Sequence, residues 1–289
     1  MRELLQGVVD MHIHGSPSIA PRIDTLEFLH EMDRCGYRAV CLKEHFMPTA
    51  GLAKLLNGMR LPTKTQVVGC VVLNRSVGGL NISAIDTAIK LGARQVFMPT
   101  VSSFNHCRYL SKVPSFGGGN LGVKEEPICI LSDGELSCEA RMVAEYMARH
   151  DDVTLSMGHM SVEEIDAFLD YAFSVGVKKL VIDHPYFIIG AKVSDVSRWS
   201  RAGAYINFTC SSLEGNGHNG HVPVPILEKT LDAVSDDRLV VSTDYGQPYN
   251  GSPVIGMLKM METLLKDLKV PEKRVIAMTH SIPAYLIGV

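Results

Sequence analysis

Short apolar, β-branched runs recur along the chain, and after each one the apolar positions switch to helical spacing. The first run is Val8 to His14, followed by a helical pattern over Asp24 to Cys35. Ala39 to Phe46 precedes a helix over Ala50 to Asn57, and Gln66 to Asn74 precedes one over Asn81 to Leu91. Gln95 to Ser103 leads into an irregular insertion, Phe104 to Gly134, and then a helix over Cys138 to His150. Val153 to His159 is followed by a helix over Ser161 to Val175, whose start carries the capping box Ser161-x-x-Glu164. Lys179 to His184, Ala204 to Cys210 and Arg238 to Asp244 are followed by helices over Ser194 to Ala202, Pro225 to Ala233 and Val254 to Leu268. Val275 to Val289 reads as a closing element.

This alternation predicts the α/β class and a (β/α)8 TIM barrel over residues 1–289, with an insertion at about 104–134. An open doubly wound sheet also alternates, but eight strands favour the closed form. A chain of 289 residues buries a sizeable core without disulfides. The net charge of −3 gives no electrostatic case for nucleic acid or an anionic membrane surface. The 7 cysteines are odd in number and contain no C-x-x-C pair, which argues against a disulfide framework and a zinc ribbon. Cys41, Cys70 and Cys129 lie in apolar runs and are expected to act as small hydrophobes. The chain enters its first strand without a long apolar stretch, so a cytoplasmic location without a secretory signal is expected. A G-x-G-x-x-G match at Gly117, Gly119 and Gly122 neither follows a strand nor opens a helix, so a dinucleotide site is not expected. No G-x-S-x-G elbow is present.

The candidate chemistry lies where the apolar runs end. His12 and His14 close the first run, and residues two apart on a strand share a face roughly 7 Å apart. His159 ends the fifth run, His184 the sixth and Asp244 the eighth. In a barrel these C-terminal strand ends converge on one mouth. Imidazoles with a carboxylate form a donor set for Zn, with Mn, Fe or Ni as alternatives. Such a cation brings water toward ionisation at neutral pH, and a nearby carboxylate can take the proton.

This pattern resembles the amidohydrolase superfamily of metal-dependent hydrolases, and within it an uncharacterised amidohydrolase-like family. The resemblance rests on His12-x-His14, His159, His184 and Asp244 in strand order. The ending Thr279 to Gly288 matches the superfamily's closing segment in part, with Ile282 in place of its Asn. It implies that His12, His14 and Asp244 hold one metal, and that His159 and His184 hold a second or position substrate. It also implies that Asp244 accepts the proton of the attacking water. Many two-metal members carry a bridging Lys or Glu on strand four, where this chain has Gln95-Val-Phe-Met-Pro. The nearest substitute is Lys43, either carboxylated and bridging two metals or an ammonium contacting substrate.

His45 shares a face with Lys43, and His106 follows strand four; both are expected to contact substrate. His218 and His221 fall in a Gly-rich segment expected to be a surface loop. The expected activity is hydrolysis of an amide, cyclic amide, lactone or other ester in a small molecule. Metal-dependent non-oxidative decarboxylation and phosphoester or phosphotriester cleavage are the alternatives. No clamp of arginines at strand ends favours phosphate, Arg75 being the one nearby candidate. A homo-oligomer is compatible with the sequence.

Overall fold

The computed structural model describes residues 2–59, 63–110, 126–214 and 221–289. In chain order its strands are β1 (Val9–His14), β2 (Ala39–Lys43), β3 (Gln66–Val72), β4 (Ala93–Phe97), β5 (Leu131–Ser132), β6 (Glu135–Leu136), β7 (Thr154–Ser156), β8 (Leu180–Asp183), β9 (Tyr205–Thr209) and β10 (Leu239–Ser242). Eight of them form one parallel sheet in the order β1-β2-β3-β4-β7-β8-β9-β10. β5 and β6 pair separately as an antiparallel hairpin. The sheet closes on itself just beyond β10, where Asp244 N–H donates to the His12 carbonyl at 2.7 Å and His14 N–H to the Tyr245 carbonyl at 2.7 Å. The fold is a (β/α)8 barrel.

Helices follow the strands as the apolar spacing predicts. They include α1 (Thr25–Arg34), α2 (Ala50–Gly58), α3 (Ile82–Lys90), α4 (Phe104–Leu110), α5 (Cys138–Met147), α6 (Val162–Ser174), α7 (Val193–Ala202), α8 (Cys210–Glu214), α9 (Val224–Ala233), α10 (Pro253–Glu262), α11 (Glu272–Ile276) and α12 (Ile282–Ile287). Side-chain caps satisfy the free N–H groups at their starts. Asp24 accepts from Leu26 and Glu27 at α1. The predicted capping box forms at α6, with Ser161 Oγ accepting from Glu164 N–H and Glu164 Oε2 from Ser161 N–H. The other oxygen of Glu164 accepts Ile130 N–H at 3.1 Å, tying the insertion to the barrel wall.

Two apolar layers result. The outer one packs helices on strands and includes Phe28, Val40, Val96, Phe168, Trp199 and Met257. The inner one fills the barrel with Val9, Met11, Cys41, Val68, Cys70 and Phe97. α12 closes the lower end by adding Ala284, Leu286 and Ile287 to this layer. Thr154 Oγ1 holds that helix through the Leu286 carbonyl at 2.7 Å, and Lys179 Nζ through the Tyr285 carbonyl at 2.8 Å.

Several sequence expectations are corrected. The fourth strand ends at Phe97 rather than Ser103, and the insertion expected to be irregular contains α4 and β5, which pairs with β6 just beyond it. The segment directly after the seventh barrel strand forms α8. Cys129 is exposed and does not join the core. The glycine motif at 117–122 and His218 lie outside the described residues. No described helix is long and apolar enough to cross a membrane.

Candidate metal centre

β1 does not alternate strictly. Asp10 pairs with Val40, yet Ile13 pairs with Leu42, so β1 carries one extra residue between them. This bulge changes which face the following side chains take. Val9 and Met11 therefore fill the inner layer, Ile13 turns to the outer one, and His12 and His14 reach the mouth. Their rings lie 5.6 Å apart.

The closing bonds between β10 and β1 bring Asp244 against this pair. Asp244 Oδ1 lies 3.2 Å from His12 Nε2 and 3.3 Å from His14 Nε2. The ligand atoms of His12, His14 and Asp244 all lie within 4.8 Å of one another. Asp244 and His184 adopt left-handed backbone, with φ of 52° and 33°, a region non-glycine residues seldom occupy. Gly246, at φ 124°, lets the backbone after Asp244 lie against His14, since a Cβ there would collide with the His14 carbonyl. Below the site, the Asp10 carboxylate accepts from Thr243 N–H and Oγ1 and reinforces the same seam.

Asp183, at the end of β8, meets His12 from behind. Its Oδ1 lies 3.0 Å from His12 Nδ1 and accepts from Asn207 Nδ2 at 2.8 Å. Ser242 in turn donates to Asn207 Oδ1 at 2.8 Å. An aspartate in this place holds the proton on Nδ1 and leaves Nε2 for the centre of the mouth. Ser211 Oγ donates to the outer oxygen of Asp244 at 3.1 Å. Burial and Lys43 push the His12 imidazole down, but the flanking Asp244 and Asp183 carboxylates outweigh them and lift it to about 9. Against the effect of burial, His12 holds both carboxyls low, Asp183 at about 2 and Asp244 well below the ordinary range. Burial dominates at His14, whose imidazole falls to about 3 and stays neutral.

All eight residues singled out from the sequence (His12, His14, Lys43, His45, His106, His159, His184 and Asp244) are buried at this mouth. Lys43 Nζ sits 2.9 Å from His12 Nε2 and 4.5 Å above the Phe97 ring. Burial lowers its ammonium in spite of Asp244 and Asp183. His45 lies 4.9 Å from the His14 ring, and its Nδ1 meets Thr100 Oγ1 at 2.8 Å. Asn74 fixes this corner, bonding both Thr100 Oγ1 and the His45 carbonyl. His106 from α4 stacks on His159 at 4.8 Å, with the two Nδ1 atoms 2.7 Å apart. His184 lies between the two sides, 5.1 Å from His159 and 5.7 Å from His12. Burial holds His45 and His159 well below the usual imidazole value, and holds His106 and His184 at about 4. His221 is exposed.

The sequence reading missed Asp183, Asn207 and Ser211. Asp183 shares the inward face of β8 with Val181, and the left-handed backbone at His184 brings that next residue to the mouth as well. Arg75, the one arginine singled out, donates through Nε to the Glu126 carbonyl at 2.9 Å.

The donor set fits a divalent cation. Two imidazoles and a carboxylate converge, His14 is neutral, and the Nδ1 atoms of His14 and His184 are buried without a hydrogen-bond partner. The carboxylates on either side of His12 favour positive charge at that point.

A family described as a family of unknown function, DUF6282, matches residues 7–207. The chain belongs to this family. No curated protein matches it. Among solved structures, an amidohydrolase from Pseudomonas aeruginosa aligns over 100% of this chain and 98% of that one, with 13% identity and a TM-score of 0.66. A candidate 2-pyrone-4,6-dicarboxylic acid hydrolase from Pseudomonas putida aligns over 98% and 97%, with 15% identity and a TM-score of 0.62. A 2,6-dihydroxybenzoate decarboxylase from Rhizobium aligns over 98% and 99%, with 10% identity and a TM-score of 0.57. At these identities the likeness is one of fold.

Proposed function

We propose that this protein is a metal-dependent hydrolase of a small molecule, cleaving an amide, cyclic amide, lactone or other ester. The observation that carries the reading is the convergence of His12, His14 and Asp244 ligand atoms within 4.8 Å at the barrel mouth. These three residues would hold one divalent ion, zinc first among the candidates. When bound, that ion polarises the scissile carbonyl and makes water available for attack at neutral pH.

The remaining steps fall to the chain's own groups. Asp183 holds His12 in the tautomer that presents Nε2. Asp244, fixed on its outer oxygen by Ser211, orients the attacking water and takes its proton, then returns it to the leaving group. His159 and His184 face substrate from across the mouth, with His106 holding the His159 ring by Nδ1. Lys43, 2.9 Å from His12 Nε2, acts as an ammonium contacting substrate when one ion binds, or as a carboxylated bridge when two do.

The test is metal analysis of protein purified without chelator, combined with a screen of cyclic amides, lactones and esters for proton release. One tightly held ion per chain and metal-dependent proton release are expected. Carbon dioxide release from an aromatic acid, without proton release from any ester or amide, would instead establish a decarboxylase. Retention of two tight ions that falls to one in Lys43→Ala would establish the bridging role of Lys43.

A further inference from the structure

The loop between β1 and α1 brings a guanidinium to the rim of the mouth. Its backbone is stitched to both edges of the seam: Ser16 N–H donates to the Ile23 carbonyl at 3.0 Å, and Ile23 N–H to the Gly246 carbonyl at 2.8 Å. Thr25 ties back to Ser16 through its own Oγ1. Arg22 is therefore held beside the segment that carries Asp244. Its Nη1 donates to the neighbouring Pro21 carbonyl at 3.1 Å, but its Nε is buried with no hydrogen-bond partner. Its charge is felt at His14, Lys43 and His45, and it feels Glu44, Asp244 and Tyr249. The residue is half-buried at the rim, with its Nε shielded from water.

A buried guanidinium donor without a partner costs stability unless something completes it. Neither nearby carboxylate does so. Asp244 Oδ1 is turned to His12 and His14, and Glu44 forms no salt bridge with Arg22 among the described residues. The Glu44 Oε2 atom is itself buried and unbonded. The one other buried cation at the mouth, Lys43, is engaged by His12 and Phe97. A single fork-shaped donor matches a single planar carboxylate, whereas a phosphate dianion calls for several cations.

We propose that Arg22 is a specificity residue that binds a carboxylate carried by the substrate, so that the class cleaved is a carboxylated amide, lactone or ester. This rests on the hydrolase reading for the reaction but not for the binding. Substrate enters with its carboxylate on Arg22 and its scissile carbonyl toward His12, His14 and Asp244.

The experiment titrates matched pairs into the full chain by calorimetry, with and without one equivalent of zinc. The pairs are 2-pyrrolidone-5-carboxylate against its carboxamide, and benzoate against benzamide. At least one carboxylate is expected to bind about tenfold more tightly than its amide. Arg22→Gln should lose that preference and Arg22→Lys should keep part of it, both with unchanged circular dichroism and metal content. No preference in the wild type, including no binding of any carboxylate at millimolar concentration, overturns the proposal. So does a preference that survives in Arg22→Gln. Should Arg22→Gln not fold, Arg22→Lys decides, since an undiminished preference there also overturns it. Failure to take up metal would remove the hydrolase reading and leave the carboxylate preference of the metal-free chain to be judged separately.

Discussion

The two sides of the mouth use the same residue type to opposite effect. At the β1–β10 seam, His12 stands between Asp183 and Asp244, which lift its imidazole to about 9. Across the mouth, His45 and His159 bond to Thr100 and His106, and burial keeps these rings neutral. The difference is a pair of carboxylates: His12 meets both Asp183 and Asp244, while His14, which meets Asp244 alone, is still held at about 3 by burial, as the rings across the mouth are held low. On the proposed reading, metal binds at the seam, where His12, His14 and Asp244 converge, and substrate contacts the far side.

The largest effect should come from breaking the seam. Asp244→Asn is expected to lower kcat by about 10²–10⁴-fold, the range for loss of a positioned acid–base group, with the fold kept by circular dichroism. Substantial turnover in that variant would remove Asp244 from its role. Next is the support behind His12. Asp183→Asn should weaken metal binding by about 10–100-fold in chelator competition, as expected for a carboxylate orienting a ligating imidazole. Unchanged affinity would show that Asn207 and the strand alone position His12.

A smaller effect is expected from the neutral side. His106→Gln removes a bond between two uncharged rings, worth about 1 kcal/mol, so KM should rise about fivefold while metal affinity stays unchanged. A loss of metal there would erase the contrast between the two sides. The smallest effect belongs to the barrel floor. Lys179→Met deletes bonds to the Tyr285 and Leu286 carbonyls and should lower the melting temperature by about 2–4 °C, for roughly 1 kcal/mol, without altering metal affinity.

Much of this was legible along the chain. Strand and helix alternation is a local signal, and it located all eight barrel strands, seven of them to within about three residues and the fourth with its end six residues too late. The histidines stood out because each ends an apolar run. Asp183 was not legible, since its neighbour His184 already occupied the strand end and its partner lies 171 positions away. Arg22 was hidden for a similar reason. Eight residues beyond His14, it reaches the mouth only because Ile23 bonds back to Gly246.

The amino-acid sequence by itself determined the barrel class and the residue types at its mouth, because both follow from short-range periodicity and from what ends each strand. Tertiary structure alone decided which of those residues share charge. That depends on the bulge in β1, which turns His12 and His14 to the mouth above Met11, and on the closing bonds from Asp244 and Tyr245 to β1. The closing bonds join segments more than two hundred residues apart, and no local pattern encodes such a distance.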